Sequence, residues 1–542
     1  MDRRAALVLL ATCALAVFLS GLELMVTAVA LPAIVPDLAS WSDLRHASWI
    51  VNGYLLVSIV SMPLAGRLAD RHGARPLLLA GLAAFTLGSL LAAMAPSLDT
   101  LIAARLVQGL GAGTIVPVAT AAASHLFEGH LRPRALGVVG AATFLGMAAG
   151  PFVGAAVLRS VHPAAALEAL GLAGTPLVTV LAPAWRWVFY LDVPFGLAAL
   201  VVAWAASAGW DTSRRHARVD IPGAIAFSIG LGGLLLGLTL LGGAGSPSSG
   251  VPVPGALIVA GLVGLAIAVA LDLRARDPFV DVRAFRRPAY AAAALVSLLT
   301  GYGLATAIIG AAVFVDRVLY GGPETQEVAL GALAGATAVG AFASGLLVRR
   351  LSLTLITVVG LVGAATALAA MASWGPGTDV ALVAALLALF GLGFGVTVTP
   401  RSTAAVEAVG RDAFGAASAT VTVARMLGMA VGLAILTAYG STTIERLTAE
   451  VYATPTAYRE FLPPALRSRP RNDGLVVQAL ESWASGEAAR VLGGVFIAAA
   501  GVTLVAIGPA LLLRGRPRIL EARRKEAPVG GDGDGTAASL AL

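Results

Sequence analysis

Apolar residues come along this chain in runs of roughly 18–25, set apart by short polar segments. That is the length a helix needs to cross ~30 Å of hydrocarbon, and the runs are too numerous and too long for the core helices of a soluble protein. Fourteen helices fit the pattern, at 6–34, 47–69, 76–95, 99–122, 134–158, 187–207, 221–242, 254–273, 288–316, 325–348, 352–374, 379–400, 413–440 and 489–513. The first begins behind Arg3-Arg4 with the outline of a secretory signal as far as Ser20. Its apolar run continues through Glu23 to Pro32 and many spans follow, so it is read as a retained membrane helix. Two connectors are long. The segment 158–186 is apolar between Pro163 and Pro183, which suits a membrane surface or a cover over the helices. The segment 441–488 carries Ile444, Leu447, Val451, Tyr458 and Phe461 among charges, as an amphipathic extension would. The tail from Ala527, with Gly530, Gly531, Gly533 and Gly535, reads as disordered.

Composition agrees with lipid as the solvent: 58% of the 542 residues are hydrophobic, only 12% are charged, and mean hydropathy is +0.87. The single cysteine, Cys13, excludes an internal disulfide. His46, His72, His125, His130, His162 and His216 all fall in connectors, so no metal site is expected within the membrane. The net charge of +7 would suit nucleic acid, but the arginines are scattered singly between apolar runs. Membrane orientation accounts for them better: with the N-terminus inside, 25 of the 37 Lys and Arg residues lie on the cytoplasmic side and 10 outside. Arg105 and Arg425 remain within helices. Both termini are thus expected in the cytoplasm.

Three groups of residues carry candidate chemistry. Between helices 2 and 3 stands Gly66-Arg67-Leu68-Ala69-Asp70-Arg71-His72-Gly73-Ala74-Arg75-Pro76. Its glycines suit close helix approach and a tight reversal, and Pro76 suits a first helical turn. Asp70 is placed to face that helix end or a neighbouring arginine; a plain polar turn is the alternative. Helix 4 carries Arg105 and Gln108 in Arg105-Leu106-Val107-Gln108-Gly109, and helix 1 carries Glu23 as its one deep acid. An ionisable residue in an apolar span is a functional candidate by default. Burial favours a neutral carboxyl and a nearby cation its charged form, so a Glu23–Arg105 contact would govern proton binding; a carboxylate held by helix hydroxyls for structure is the alternative. Helix 5 has Gly137, Gly146, Gly150-Pro151 and Gly154, a spacing that lets helices pack closely and bends one at the proline.

These motifs resemble those of the major facilitator superfamily, and the helix-5 glycines resemble its antiporter motif. The match extends through Trp185-Arg186-Trp187 to Asp192, Asp220-Ile221-Pro222-Gly223, Pro278 to Phe285, and Gly415-Ala416-Ala417-Ser418 leading to Ala424-Arg425-Met426-Leu427-Gly428. It is similar to the fourteen-helix drug:proton antiporter (EmrB/QacA-type) subfamily. Trp49-Ile50-Val51, Tyr54-Leu55-Leu56 and Met62-Pro63-Leu64 are similar to its actinobacterial branch, which exports triacylglycerols and lipophilic drugs. The chain departs from the pattern in Glu23, where aspartate is usual, in Asp192, where asparagine is commoner, and near Phe144, where that branch has an acid.

The resemblance implies an all-α membrane protein: an N-terminal six-helix bundle at 1–210, two inserted helices at 211–275, a C-terminal six-helix bundle at 276–515 with the external loop 441–488, and a cytoplasmic tail at 516–542. A degenerate second latch from Gly345 to Arg349-Arg350 fits duplicated halves. It also implies that Gly66, Asp70, Arg71, Gly73 and Arg75 form a gating loop, that Glu23 and Arg105 couple protons, and that Arg425 and Gln108 line the cavity. The expected function is proton-coupled export across a bacterial plasma membrane, with no cofactor, metal or nucleic-acid partner. Few deep acids tilt the cargo toward neutral, greasy molecules or lipids and away from cations. Besides multidrug efflux, the rival readings are a nutrient permease, a membrane-embedded lipid enzyme and a scaffold for an external lipoprotein. The helix-5 glycines oppose the first. Clustered nucleophiles are absent for the second, and no Walker-type loop provides for ATP.

Overall fold

The computed structural model describes residues 2–39, 44–127, 131–169, 171, 175–210, 220–240, 253–275, 278, 282–348, 350–409, 414–451 and 456–513. Among them, fourteen helices are long and apolar enough to cross a membrane. We label them α1 (Arg3–Leu38), α2 (Trp49–His72), α3 (Ala74–Ala93), α4 (Leu98–Leu126), α5 (Arg132–Ser160), α6 (Arg186–Ala206), α7 (Ile221–Leu240), α8 (Val253–Arg274), α9 (Pro288–Arg317), α10 (Pro323–Leu347), α11 (Leu353–Met371), α12 (Val380–Val396, continued by Val398–Val409), α13 (Phe414–Val451) and α14 (Gly474–Val505, continued by Ile507–Ala510). Helix is the only spanning form these segments can take, because every backbone donor in hydrocarbon needs a partner within its own segment. Hydroxyls follow the same rule. Thr27, Thr86, Ser89, Ser297 and Thr357, among others, each donate to the carbonyl four residues back.

Helix ends are set by local chemistry. Ser97 and Thr100 cap α4 reciprocally, and Ser352, Asp379 and Asp473 cap α11, α12 and α14. Gly73 separates α2 from α3 at φ 94°, a backbone conformation that a side chain would strain. Gly66 has open space around it, so close helix approach is not its role.

The packing repeats. In the first six helices α1 lies on α5, α2 and α3 on α4, and α6 on α3; in the last six α9 lies on α13, α10 and α11 on α12, and α14 on α11. Close backbone contacts repeat with it. A Cβ on Gly146 of α5 would strike the Phe18 carbonyl of α1, and one on Gly428 of α13 would strike the Leu298 carbonyl of α9. Two six-helix bundles therefore share one construction. The pair α7–α8 stands between them in sequence, zipped through Gly230, Gly237 and Gly261. The bundles meet where α5 packs on α10, α2 on α13 and α1 on α9, and α7 touches both α13 and α2.

Several helices run past the expected spans. α12 continues to Val409, α13 continues to Val451 and α14 starts at Gly474, so of the described residues within 441–488 only 456–473 lie outside long helices. Hydropathy falls where charges begin, whereas the helical hydrogen-bond ladder continues past that point. A small cluster of Tyr458, Leu462 and Val476 caps this end, with Phe461 against Trp483 at 4.6 Å.

Candidate transport site

Glu23 lies on α1 and Arg105 on α4, and their side chains are both 0% exposed. An isolated charge is untenable at such burial, and the two resolve this by pairing: Arg105 Nη1 donates to Glu23 Oε1. The guanidinium is held on its other sides too. Its Nε donates to the Ile50 carbonyl at 3.1 Å, Nη1 also reaches Gln108 Oε1, and the ring of Tyr54 lies 4.3 Å from its carbon. Gln108 is fully buried and passes its own amide hydrogen to Ser89 at 2.8 Å. Thr27 donates to the Glu23 carbonyl and lies 3.0 Å from Oε1. Four helices of the first bundle thus meet on one ion pair.

Asp192 joins them. It is on α6, fully buried, and beside Glu23, with Ser89 and Arg105 as its further polar neighbours. Glu23 is therefore not the one deep acid of the chain. Asp192 stands in an apolar stretch six residues after Arg186, a placement as informative as that of Glu23. The sequence motif alone places it at the opening of helix 6. Arg186 itself is structural: it donates to the carbonyls of Ala93 and Ala95 at the end of α3, while Trp185 donates to Asp37 on α1.

The second bundle carries two buried guanidiniums. Arg425 on α13 and Arg401 in the continuation of α12 lie close enough to repel. Arg401 donates to the Thr397 carbonyl at 2.9 Å and to the Thr300 hydroxyl of α9, and stands 5.3 Å from the Phe394 ring. The sequence pattern ended this span at residue 400 and left Arg401 in a connector; the continued helix buries it instead.

Between the bundles lies a cavity of about 20 Å³. Leu24, Met25, Val51 and Leu55 line it from the first bundle, and Ile308, Met429 and Leu433 from the second. On another face of the contact, Phe152 of α5 packs on Gly331 of α10, and Arg159 pairs with Glu327 at 3.2 Å.

The other expected site residues are spread more widely. Gly150 and Gly154 of α5 face Met25 and Val29 of α1, and Pro151 stands inside the helix. Arg75 donates to Ser207 at 3.1 Å, fastening α3 to the end of α6, and Arg71 is exposed. The side chain of Asp70, the surroundings of Gly137, Arg349 and the tail from Ala527 lie outside the described residues.

The model of the Major Facilitator Superfamily matches residues 13–433. The chain belongs to that superfamily. This major facilitator protein is 31% identical to a triacylglyceride transporter of Mycolicibacterium hassiacum over 82% of each chain. It is 28% identical to the multidrug resistance protein B homolog of Mycobacterium tuberculosis, over 78% of this chain and 74% of that one. These relatives match the actinobacterial branch named from the motifs. Its fold is shared with an inward-facing bacterial homolog of the human lysosomal transporter Spinster, at a TM-score of 0.62 and 16% identity, covering 95% of this chain and all of that one. The superfamily and these relatives are transporters, and the chain is a multi-pass membrane protein.

Proposed function

We propose that this major facilitator protein exports hydrophobic or lipid-like molecules across the bacterial plasma membrane by proton-coupled alternating access, with both termini cytoplasmic. The observation that carries this reading is the Glu23–Arg105 pair, wholly buried and one residue from the apolar seam between the bundles. A proton arriving from outside neutralises Glu23 and loosens its hold on Arg105, and the bundles rock about the seam. Breaking a buried pair by removing one partner costs ~3–5 kcal/mol, enough to tie proton binding to rearrangement. The gating loop from Gly66 to Arg75 latches one face, and Arg159–Glu327 the other.

The cargo assignment is supported by the seam's lining, which contains no charged side chain. A neutral cargo needs no counter-charge there. A triacylglyceride transporter among the relatives points the same way. Export of lipophilic cations is the second reading. It is favoured by Asp192, which puts a second acid beside Glu23, and by the multidrug resistance homolog. An external lipoprotein partner would dock on the segment between Val451 and Gly474, and shortening that segment tests it.

The deciding experiment loads proteoliposomes with a fluorescent neutral lipid and, in parallel, a lipophilic cation under an imposed pH gradient. Gradient-driven lipid movement abolished by Glu23→Gln is the expected result. Lipid movement that persists in Glu23→Gln removes the coupling role, and movement of the cation alone returns the protein to multidrug efflux.

A further inference from the structure

Both carboxyl oxygens of Asp192 are buried without a hydrogen-bond partner, and so is Oε2 of Glu23. The two carboxyl groups are neighbours in the buried cluster. Three buried acceptors thus stand together with no hydrogen bond made to them. Such groups are rare enough in folded proteins that each calls for an explanation.

Of the nearby donors, Arg105 Nη2 is buried without a hydrogen-bond partner and Ser89 faces Asp192, while the others are engaged. Ser89 donates to the Phe85 carbonyl at 3.0 Å, Tyr54 to the Ser20 carbonyl at 3.3 Å, and Gln108 to Ser89. The titratable or charged groups facing Asp192 are Glu23 from α1, Tyr54 from α2 and Arg105 from α4. From α3 there is only Ser89, and the cation of α6 itself, Arg186, is turned to the carbonyls of Ala93 and Ala95.

Two carboxylates against one guanidinium would leave a net negative charge in a site without solvent, which buried groups avoid by neutralising. One proton cancels that charge and places a donor between the two carboxyl groups. We propose that Glu23 and Asp192 are a carboxyl–carboxylate pair sharing a single proton, carried on Asp192 while Glu23 is paired with Arg105. This rests on the proton-coupled reading and gives it a mechanism. When the proton passes from the Asp192 hydroxyl to Glu23 Oε2, Glu23 becomes the neutral acid and Asp192 the carboxylate. Arg105 then exchanges a partner on α1 for one on α6. Total charge is unchanged, no bond to carbon is made or broken, and one proton has moved between helices.

Infrared spectroscopy of the purified protein in lipid nanodiscs tests this, through the carbonyl stretch of a protonated carboxyl at neutral pH. The substitutions Asp192→Asn and Glu23→Gln are near-isosteric. The wild type should show a band that Asp192→Asn loses entirely. Glu23→Gln should lose the same band, because Asp192 then ionises as the partner of Arg105. A wild-type spectrum unchanged by Asp192→Asn overturns the proposal. So does an Asp192 band that survives undiminished in Glu23→Gln, since the acid would then be neutral without sharing. Gradient-driven transport by the same variants separates the two readings. If both bands vanish and transport is unaffected, the shared proton stands and its part in transport falls. If Glu23→Gln abolishes transport while Asp192→Asn leaves the spectrum unchanged, coupling stands and the shared proton falls.

Discussion

Gly146→Ala should destabilise the protein while Gly140→Ala, less than two turns away on the same helix, should not. A Cβ on Gly146 meets the Phe18 carbonyl oxygen outright and stands 2.9 Å from the Phe18 carbonyl carbon and 3.0 Å from the Leu22 nitrogen. Ordinary carbon contacts lie at ~3.5–4.0 Å, and none of these atoms belongs to a side chain able to turn away. The α1–α5 spacing must widen, at the ~1–3 kcal/mol typical of overpacking. A Cβ on Gly140 meets nothing within 4 Å, so alanine there contributes only its better helix propensity, ~0.5–1 kcal/mol. The difference between the variants is then ~1.5–4 kcal/mol. Membrane proteins often unfold irreversibly, so the useful assay is the half-life of the monodisperse species in detergent at one fixed temperature. If most of the difference falls on the unfolding rate, Gly146→Ala should decay about tenfold faster or more, at ~1.4 kcal/mol per decade. Equal half-lives would refute the claim that α1 and α5 pack through backbone contact at this glycine.

Other tests address single interactions. Arg105→Ala leaves the Glu23 carboxylate buried alone and should cost ~3–5 kcal/mol, with part recovered in Arg105→Ala/Glu23→Ala; thermal stability of the three variants is the measurement. Arg159→Glu should weaken the α5–α10 contact, and Arg159→Glu/Glu327→Arg should restore it. Both partners are partly exposed, so the effect is ~0.2–1 kcal/mol, read from the rate of cysteine cross-linking between α5 and α10. The Asp473 carboxyl caps α14, and its hydrogen bond to the Leu475 amide, then Arg469, hold it below its ordinary value of 3.8. A depressed carboxyl stabilises above its unfolded value and ceases to as pH falls through the folded one. Exchange protection at Leu475 should therefore be the same at pH 7 and pH 5 once intrinsic rates are divided out, and be lost in Asp473→Ala.

The membrane architecture was readable because lipid leaves little choice: a long apolar run is a helix, and fourteen runs became fourteen helices. Glu23 and Arg105 stood out for the same reason, as charges where hydrocarbon excludes them, and the structure brings them into contact. Asp192 escaped because it lies close to tryptophans and an arginine that mark a membrane edge, and depth cannot be read from distance along one helix alone. Its significance comes from α1, which approaches α6 only in three dimensions. Arg401 escaped because hydropathy fades at Thr399–Ser402, while the helical ladder does not. Gly66 and Gly73 look alike in the motif, yet only the second sits at a backbone angle that needs glycine.

The inserted pair α7–α8 makes the molecule's two flanks unequal. A hydrophobic molecule sliding out of a bilayer leaflet has two mouths by which to reach the seam, one where α5 meets α10 and the other where α2 meets α13. α7 lies across the second, touching both helices, and a Cβ on Gly232 would rest against Leu56. α8 backs it with Val259, Leu262, Val263 and Ile267 turned outward. That mouth is covered by two further helices in this arrangement. The first is closed by direct packing of α5 on α10, which includes Phe152 on Gly331 and one half-exposed ion pair, with no further helix laid across it. Under the proposed export of hydrophobic molecules, a leaflet cargo would enter by parting α5 from α10 alone, and the two extra helices would serve as a wall rather than as a part of the carrier.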